Sequence, residues 1–308
     1  MLYFNTYQKT WGDRMKLLFN VQNRSQADPF IFEDGGRFYL YVTAGDGVEA
    51  YSSDDIFGEW KFEGVVTKLS GEGKTFWAPS VIKIEDKYYM YVSFIRGNEF
   101  QFMYALCGNS PLGPFENEKK LYDYFSIDSH VVKTDEGLFL WFAKNNEEGD
   151  RIGTRVYVDR LLDPYTVEGK PVEKIVPTFD EEIFTPSYTP DHRWHTIEGP
   201  FWFYEDGWQY VMYSGGCYQD DTYHVGYSAC KTDEMDLTKV VYEKHTNNDK
   251  FAPVIIKNDV EEGTGHHSVI KHKGEYYAIY HARTYGEKYR TARVCKLIVK
   301  DGLITAER

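Results

Sequence analysis

Three features of this 308-residue chain predict an all-β fold, specifically a five-bladed β-propeller forming one domain over residues 1–308. One hairpin-like segment recurs five times. Helical periodicity with a capped start is almost absent; the best candidate is a short turn near Asp233–Asp236. The chain is also 17% aromatic, with 26 Tyr, 20 Phe and 7 Trp, which suits pleated strands and rules out a disordered chain.

The recurring segment has a small or charged head, an apolar run, a polar turn and an aromatic run. It reads DPFIFEDGGRFYLYVTA from Asp28, APSVIKIEDKYYMYVSF from Ala78 and DSHVVKTDEGLFLWFAK from Asp128. It returns as EGPFWFYEDGWQYVMYSG from Glu198 and HHSVIKHKGEYYAIYHA from His266. The heads are spaced by 50, 50, 70 and 68 residues. Two β-branched or aromatic runs around a Gly- or Asp-bearing turn predict a hairpin in each copy. A third strand follows the hairpin at Gly47–Ser53, Phe100–Gly108, Ile152–Asp159 and Tyr223–Ala229, and turns such as Asp54–Trp60 and Ser110–Phe115 hand several of them to a fourth. Four-stranded sheets repeated radially leave only short, protected edges, which is the propeller solution. The longer stretches Asp159–Ile197 and Thr232–Thr264 read as extended loops on the sheet faces.

Composition limits the partners. The net charge is −13 with a pI near 5.2, so phosphate neutralisation is a poor mechanism and neither nucleic acid nor an anionic membrane is expected. A small neutral oligosaccharide suits that balance. No run approaches the ~18 apolar residues of a membrane-spanning helix. The first twenty residues lack the basic start and apolar core of a signal peptide, and four scattered cysteines form no Cys-x-x-Cys pair. The expectation is a cytoplasmic protein with reduced thiols.

In a propeller the first strand of each blade lines the central axis, so the five heads converge. Asp28, Asp128, Glu198 and His266 therefore meet in one pocket, with Glu198 offset by one residue when Pro29 and Pro200 are aligned. Like charges at close range oppose each other's ionisation. Carboxyls with separated pKa values are what cleavage of a glycosidic bond needs, one to donate a proton and one to activate water or attack.

The ordered set Ala27-Asp28-Pro29, Trp77-Ala78-Pro79-Ser80, Ile127-Asp128, Ile197-Glu198-Gly199-Pro200 and Gly263-Thr264-Gly265-His266-His267-Ser268 resembles glycoside hydrolase family 43, over about residues 26–285. The resemblance implies an inverting hydrolase of arabinose- or xylose-containing glycans. Asp28 would be the general base, Glu198 the general acid and Asp128 the group that raises the acid's pKa and orients it. It further implies Arg283 as a substrate contact, and His266 on the axis beside a hydrated, structural calcium ion. The chemistry itself requires no cofactor. Trp77 is placed either to stack on a sugar face or to wedge between blades, Phe94 and Phe30 either line the pocket or fill blade core, and His195, in the loop leading to Glu198, is within reach of substrate.

Other signals carry less. Ser70–Thr75 ends like a phosphate loop but lacks its first glycine and its helix, and His192, His195, His266 and His267 contain no His-Glu-x-x-His zinc pattern. A non-catalytic carbohydrate-binding propeller would not need three axial carboxyls. A retaining fructan-type enzyme would carry an Arg-Asp-Pro, and a Trp-Asp-repeat propeller a Trp-Asp dipeptide; neither occurs. Within the resemblance, the blade-five stretch is closest to the arabinofuranosidase and arabinanase side. The expected activity is removal of terminal α-L-arabinofuranosyl residues, with β-xylosidase and endo-arabinanase as alternatives.

Overall fold

The computed structural model describes residues 17–19, 23–184 and 193–308; the first sixteen residues and His192 lie outside it. Among the described residues there are five sheets, in chain order, and one short 3-10 turn at Asp180–Glu182. The arrangement is that of a β-propeller.

Each repeated segment forms an antiparallel hairpin. The pairs are Phe30–Asp34 with Arg37–Val42, Lys74–Ile84 with Lys87–Ile95, Ser126–Thr134 with Gly137–Asn146, Ile197–Glu205 with Trp208–Gly215, and Glu261–His272 with Glu275–Thr284. Third strands follow at Glu49–Ser53, Phe102–Gly108, Gly153–Asp163, His224–Lys231 and Thr291–Lys300. The second, fourth and fifth sheets have four strands each. The first gains a short parallel strand, Leu18–Phe19, beside Glu59–Val65.

The sequence reading needs correction in the two long stretches. Asp159 lies inside a strand that continues to Asp163, and Thr166–Val167 and Val172–Ile175 pair back onto it. Ile183–Phe184 and Trp194–His195 extend the same sheet to seven strands. In the other stretch, Glu243–Lys244 is the outer strand of sheet four, and Glu261 opens the inner strand of sheet five. Near Asp233–Asp236 there is no helix: Asp236 caps a turn by accepting from the Thr238 hydroxyl (2.6 Å).

The core lies between sheets. Tyr41 and Ala50 of sheet one pack with Val81 and Met90 of sheet two, and Tyr91 and Met103 of sheet two with Val131 and Leu140 of sheet three. Trp141 and Val156 meet Val211 and Tyr213 of sheet four, and Met212 and Tyr227 meet Ala278 and Tyr280 of sheet five. The last apolar cluster joins Ile279 and Val294 of sheet five back to Ile31 and Leu40 of sheet one, which closes a ring. A sheet covered on both faces favours continuous apolar runs over alternation. That is why Arg37–Val42 is buried at every position after its first.

Candidate active site

A repeated backbone feature brings the heads together. In sheets two to five the inner strand carries one residue more than its partner at the same place. Trp77 to Ser80 opposes Ser93 to Tyr91, Ile127 to His130 opposes Ala143 to Trp141, Glu198 to Phe201 opposes Ser214 to Met212, and Gly265 to Ser268 opposes His281 to Ile279. These are β-bulges, which re-aim side chains beside active sites. Each contains a left-handed residue: Ala78 (φ 44°), Asp128 (φ 62°), Gly199 (φ 57°) and His266 (φ 44°). Asp28 (φ 53°) has the same conformation just before the first strand of sheet one. For a non-glycine residue this costs roughly 1–3 kcal/mol. In sheet four the strained position is taken by Gly199, so Glu198 precedes the corresponding head by one residue, the offset expected from the sequence.

The result is a pocket of about 110 Å³ lined by Asp28, Thr43, Trp77, Ile127, Asp128, Glu198, Tyr218, Tyr223, His266 and Arg290. All three predicted carboxyls, Trp77 and His266 are in it. Three other predicted contacts are not. Phe94 is fully buried between sheets one and two, its ring stacked on Phe76 (4.8 Å) and Tyr104 (4.0 Å). His195 is buried in sheet three, where Arg151 donates to its Nε2 (3.0 Å) and its Nδ1 meets the Ile152 carbonyl (3.2 Å). It ties the inserted segment to the strand from Gly153. Arg283 donates to the carbonyls of Tyr218 (2.9 Å) and Asp220 (3.1 Å) and pairs with Glu262 (3.4 Å). It holds the loop that carries Tyr218, and the cation of the pocket is Arg290.

Asp28 is surrounded by one cation, Arg290, two imidazoles that burial pushes down and a hydroxyl. Its Oδ1 lies 3.3 Å from His281 Nδ1, 3.5 Å from His266 Nδ1 and 3.5 Å from Arg290. Its Oδ2 accepts from the Thr43 hydroxyl, which itself accepts from the Ala78 backbone N–H (2.9 Å). Burial pushes this carboxyl up, but His266, Arg290 and His281 together outweigh it and hold Asp28 far below the usual carboxylate range. It stays ionised.

The other two carboxyls shift the opposite way. Asp128 is buried, and burial, Glu198 and Asp28 push it well up against the one backbone N–H it accepts, from Gly199 (3.0 Å). Glu198 is pushed up to about 7 by burial and by Asp28, while the hydroxyl of Tyr223 (2.7 Å to Oε1) and Arg290 pull it down. Asp128 and Glu198 titrate as a pair, and the pocket therefore holds an ionised carboxylate beside a carboxyl that keeps a proton near neutrality.

Beneath the pocket a second cavity, lined by Asp28, Phe30, Asp128, His130, Phe201, His266 and His267 among others, has a volume of about 10 Å³. Burial pushes His267 down to about 3 and His130 to about 4, so both are neutral. Both ring nitrogens of His267 and Nδ1 of His130 have no protein partner. Calcium takes about six to eight oxygen ligands, whereas this space has room for about one water, and its lining offers two carboxyls and one hydroxyl among imidazoles, prolines and phenylalanines. Its residues fit a water molecule and do not fit calcium with its hydration shell. Asp128, Glu198 and His266 also bring ligand atoms within 4.8 Å of one another, but a cation there would hold Glu198 ionised.

Arg290 and Tyr223 lie outside the repeated segment, while Thr43 and His281 occupy its same next-to-last position, in the first and fifth copies. Arg290 lies in the loop after a second strand, Thr43 just past another, and Tyr223 just before a third. The usable signals were that shared position and the place of His281, two residues before Arg283 on the same strand.

Comparisons with known proteins fit this geometry. A sequence model of glycosyl hydrolases family 43 matches residues 20–298. The chain is 24% identical over 294 residues to an alpha-L-arabinofuranosidase B of Pyricularia oryzae, covering 86% of this chain and 56% of that protein. It is 24% identical to a xylosidase/arabinosidase of Bacteroides ovatus, covering 88% of this chain and 91% of that one. Among solved structures, a thermostable family-43 glycoside hydrolase superposes with a TM-score of 0.80 at 26% identity, covering 94% of this chain and 95% of the other. An alpha-L-arabinofuranosidase from Lactobacillus brevis has the same fold, with a TM-score of 0.74 at 21% identity over 91% and 93% of the two chains.

Proposed function

The chain belongs to glycosyl hydrolases family 43, and from that premise we propose that this glycosidase is an inverting, exo-acting enzyme. It removes terminal α-L-arabinofuranosyl residues from arabinose-containing oligosaccharides, and its five sheets act as the five blades of the propeller. The observation that carries the reading is the unequal state of the carboxyls in one pocket. Asp28 is held ionised by His266, Arg290 and His281, and Glu198 is pushed up to about 7.

In the proposed reaction, Glu198 gives its proton to the glycosidic oxygen as the bond to the anomeric carbon breaks. Asp28 takes a proton from the water whose oxygen attacks the opposite face of that carbon, and the configuration inverts. Asp128, the modulator that the family resemblance implies, titrates as a pair with Glu198 and accepts from Gly199 at the turn that aims Glu198. Trp77 and Tyr218 offer aromatic walls to the sugar. The pocket is small beside the ~300–1,000 Å³ of drug-sized ligand sites, which favours one terminal sugar over a run of several.

The sugar preference draws on relatives. One bears the name of an arabinofuranosidase, and the Bacteroides ovatus relative that names both activities keeps β-xylosidase as the second reading. The test is release of nitrophenol from the aryl arabinofuranoside and the aryl xylopyranoside, side by side and with and without chelator. Preference for the arabinofuranoside with no chelator effect is expected. Preference for the xyloside overturns the sugar, and silence on both, followed by cleavage of arabinan oligosaccharides, overturns the exo assignment. The anomer first released, read by proton NMR, tests inversion.

A further inference from the structure

The loop Gly216–Tyr223 ends in a side chain that the carboxyl pattern does not account for. Tyr223 is 1% exposed, its hydroxyl donates to Glu198 Oε1 at 2.7 Å, and its ring lies parallel to His281 with centroids 5.6 Å apart. His281 in turn contacts Asp28 (3.3 Å). The inner strand of sheet five makes room for this ring: a Cβ on Gly265 would come within 2.1 Å of Tyr223. Thr264, next in line, donates its hydroxyl to the Tyr223 carbonyl at 3.3 Å. Glycine and threonine thus seat one phenol against one carboxyl oxygen.

Resting on the proposed role of Glu198 as the acid, we infer that Tyr223 is a positioning residue that assigns the two oxygens of Glu198 different tasks. Oε1 is occupied as the acceptor of the Tyr223 O–H, so the transferable proton sits on Oε2. When that proton leaves for the glycosidic oxygen, the bond from Tyr223 strengthens toward the carboxylate that forms, because a hydrogen bond to the charged form favours that form. Tyr223 keeps its own proton throughout, since burial and the surrounding carboxylates push its phenol well above the ordinary value. The other charged groups facing Glu198 act from fixed positions. Asp28 opposes its ionisation from the head of sheet one and Arg290 favours it from the loop before Thr291, while Asp128 on sheet three is itself pushed up by Glu198, and His266 stands between the two aspartates, 3.5 Å and 3.8 Å from them.

The test is the pair Tyr223→Phe and 3-fluorotyrosine at the same position, with the intact chain. Phenylalanine keeps the ring against His281 and Gly265 but removes the donor. With an unactivated oligosaccharide, kcat should fall by about 10-fold to about 100-fold, the range of a hydrogen bond to a charged group. With a nitrophenyl glycoside, whose leaving group needs little proton, the loss should be small. The alkaline limb of kcat/KM should move to higher pH in Tyr223→Phe and to lower pH in the fluorinated enzyme, whose hydroxyl is the stronger donor. Opposite movements separate this role from simple loosening of the fold, and the fluorinated protein answers the question if Tyr223→Phe does not fold. An unmoved limb in the fluorinated enzyme, or equal losses across leaving groups in Tyr223→Phe, overturns the inference while leaving the proposed glycosidase intact. A wild-type enzyme silent on every arabinoside and xyloside instead overturns the reading on which the inference rests.

Discussion

Asp28 and Glu198 open into the same pocket and belong to the same class of side chain, yet their surroundings push them in opposite directions. Around Asp28 stand Thr43 from the end of one strand and His266, His281 and Arg290 from sheet five or its loop. On the other side, Glu198 and Asp128 have one phenol, one backbone N–H and each other, with Arg290 acting on Glu198 less than burial does and His266 3.8 Å from Asp128. The contrast teaches that charge on a propeller axis is sorted by which sheet supplies the neighbours. Sheet five and its loop bring one cation, Arg290, and two imidazoles, His266 and His281, that burial pushes down, and they reach the head of sheet one because the ring closes there. A carboxyl on sheets three and four gets burial and like charge instead.

The largest effect should come from neutralising either side. Asp28→Asn and Glu198→Gln should each lower kcat on an unactivated substrate by about 100-fold to about 10,000-fold, the usual range for a positioned acid or base. The two differ in shape. The Glu198→Gln loss should shrink when the leaving group is activated, and the Asp28→Asn loss should not. In the wild type, activity should fall as pH rises through about 7, where Glu198 gives up its proton, and should persist well into acid because Asp28 stays ionised. Near-full turnover by either variant on a poor leaving group removes that residue from its role.

A smaller effect, on stability, should have opposite signs on the two sides. Asp28 has a carboxyl depressed by folding, so it stabilises the fold above the unfolded value of about 3.9 and loses that contribution as pH falls below it. Asp128 is raised by folding. Its cost to the fold is absent at low pH and grows as pH rises above about 3.9. At pH 7.5, Asp128→Asn should therefore raise Tm and Asp28→Asn should lower it, each by a few degrees, on the scale of roughly 2–4 °C per kcal/mol for chains of this kind. At pH 4 the Asp128 difference should nearly vanish, whereas the Asp28 difference should persist, because the folded Asp28 carboxyl is held far below that pH and gives up its contribution only in stronger acid. Calorimetry at the two pH values decides, and a lower Tm for Asp128→Asn at pH 7.5 would reverse the assignment of strain to that carboxyl. The same variant should be poorly active, the trade between stability and function expected of a buried catalytic charge.

How much of this was legible in the sequence follows from which features repeat. The inner hairpins recur, so the heads Asp28, Asp128, Glu198 and His266 could be superposed, and even the one-residue offset of Glu198 was visible from Pro29 and Pro200. The groups that tune those heads recur in position at most, as Thr43 and His281 do, and not in residue type. Arg290, Tyr223 and Thr43 each sit where a strand meets a loop, on different sheets, and only closure of the ring brings them to the axis. Phe94 and Arg283 fail for a different reason. Nearness in sequence to a head does not say which face or which depth a side chain takes: Phe94 pairs with Phe102 across the strand and turns to the neighbouring sheet. Arg283 has the same face as His281 but stands two residues further along, roughly 7 Å by strand geometry, where it meets the Tyr218 loop instead of Asp28.

That displacement of Arg283 sets the smallest prediction. Its guanidinium spans two carbonyls of the loop and Glu262, and it packs over Gly263, where a Cβ would come within 2.8 Å of it. The loop delivers Tyr218 to the pocket wall, with Arg290 over its ring at 4.9 Å, and ends at Tyr223 on Glu198. Arg283→Met keeps the packing over Gly263 and removes the two hydrogen bonds to the loop. Tyr223 retains its seat against Gly265, so the acid should keep its pKa, whereas Tyr218 loses its fixed position against the sugar. KM should rise by about 3-fold to about 10-fold with kcat and the alkaline limb nearly unchanged, a loss of binding shared by ground state and transition state. One charge-assisted hydrogen bond alone is worth about 1.5–3 kcal/mol, so the smaller effect assumes that the loop's other bonds, including Cys217 N–H to the Thr222 hydroxyl (3.0 Å), hold most of its shape. A fall in kcat with KM unchanged would instead make Arg283 part of the acid's support, and the division between the loop's two tyrosines would have to be redrawn.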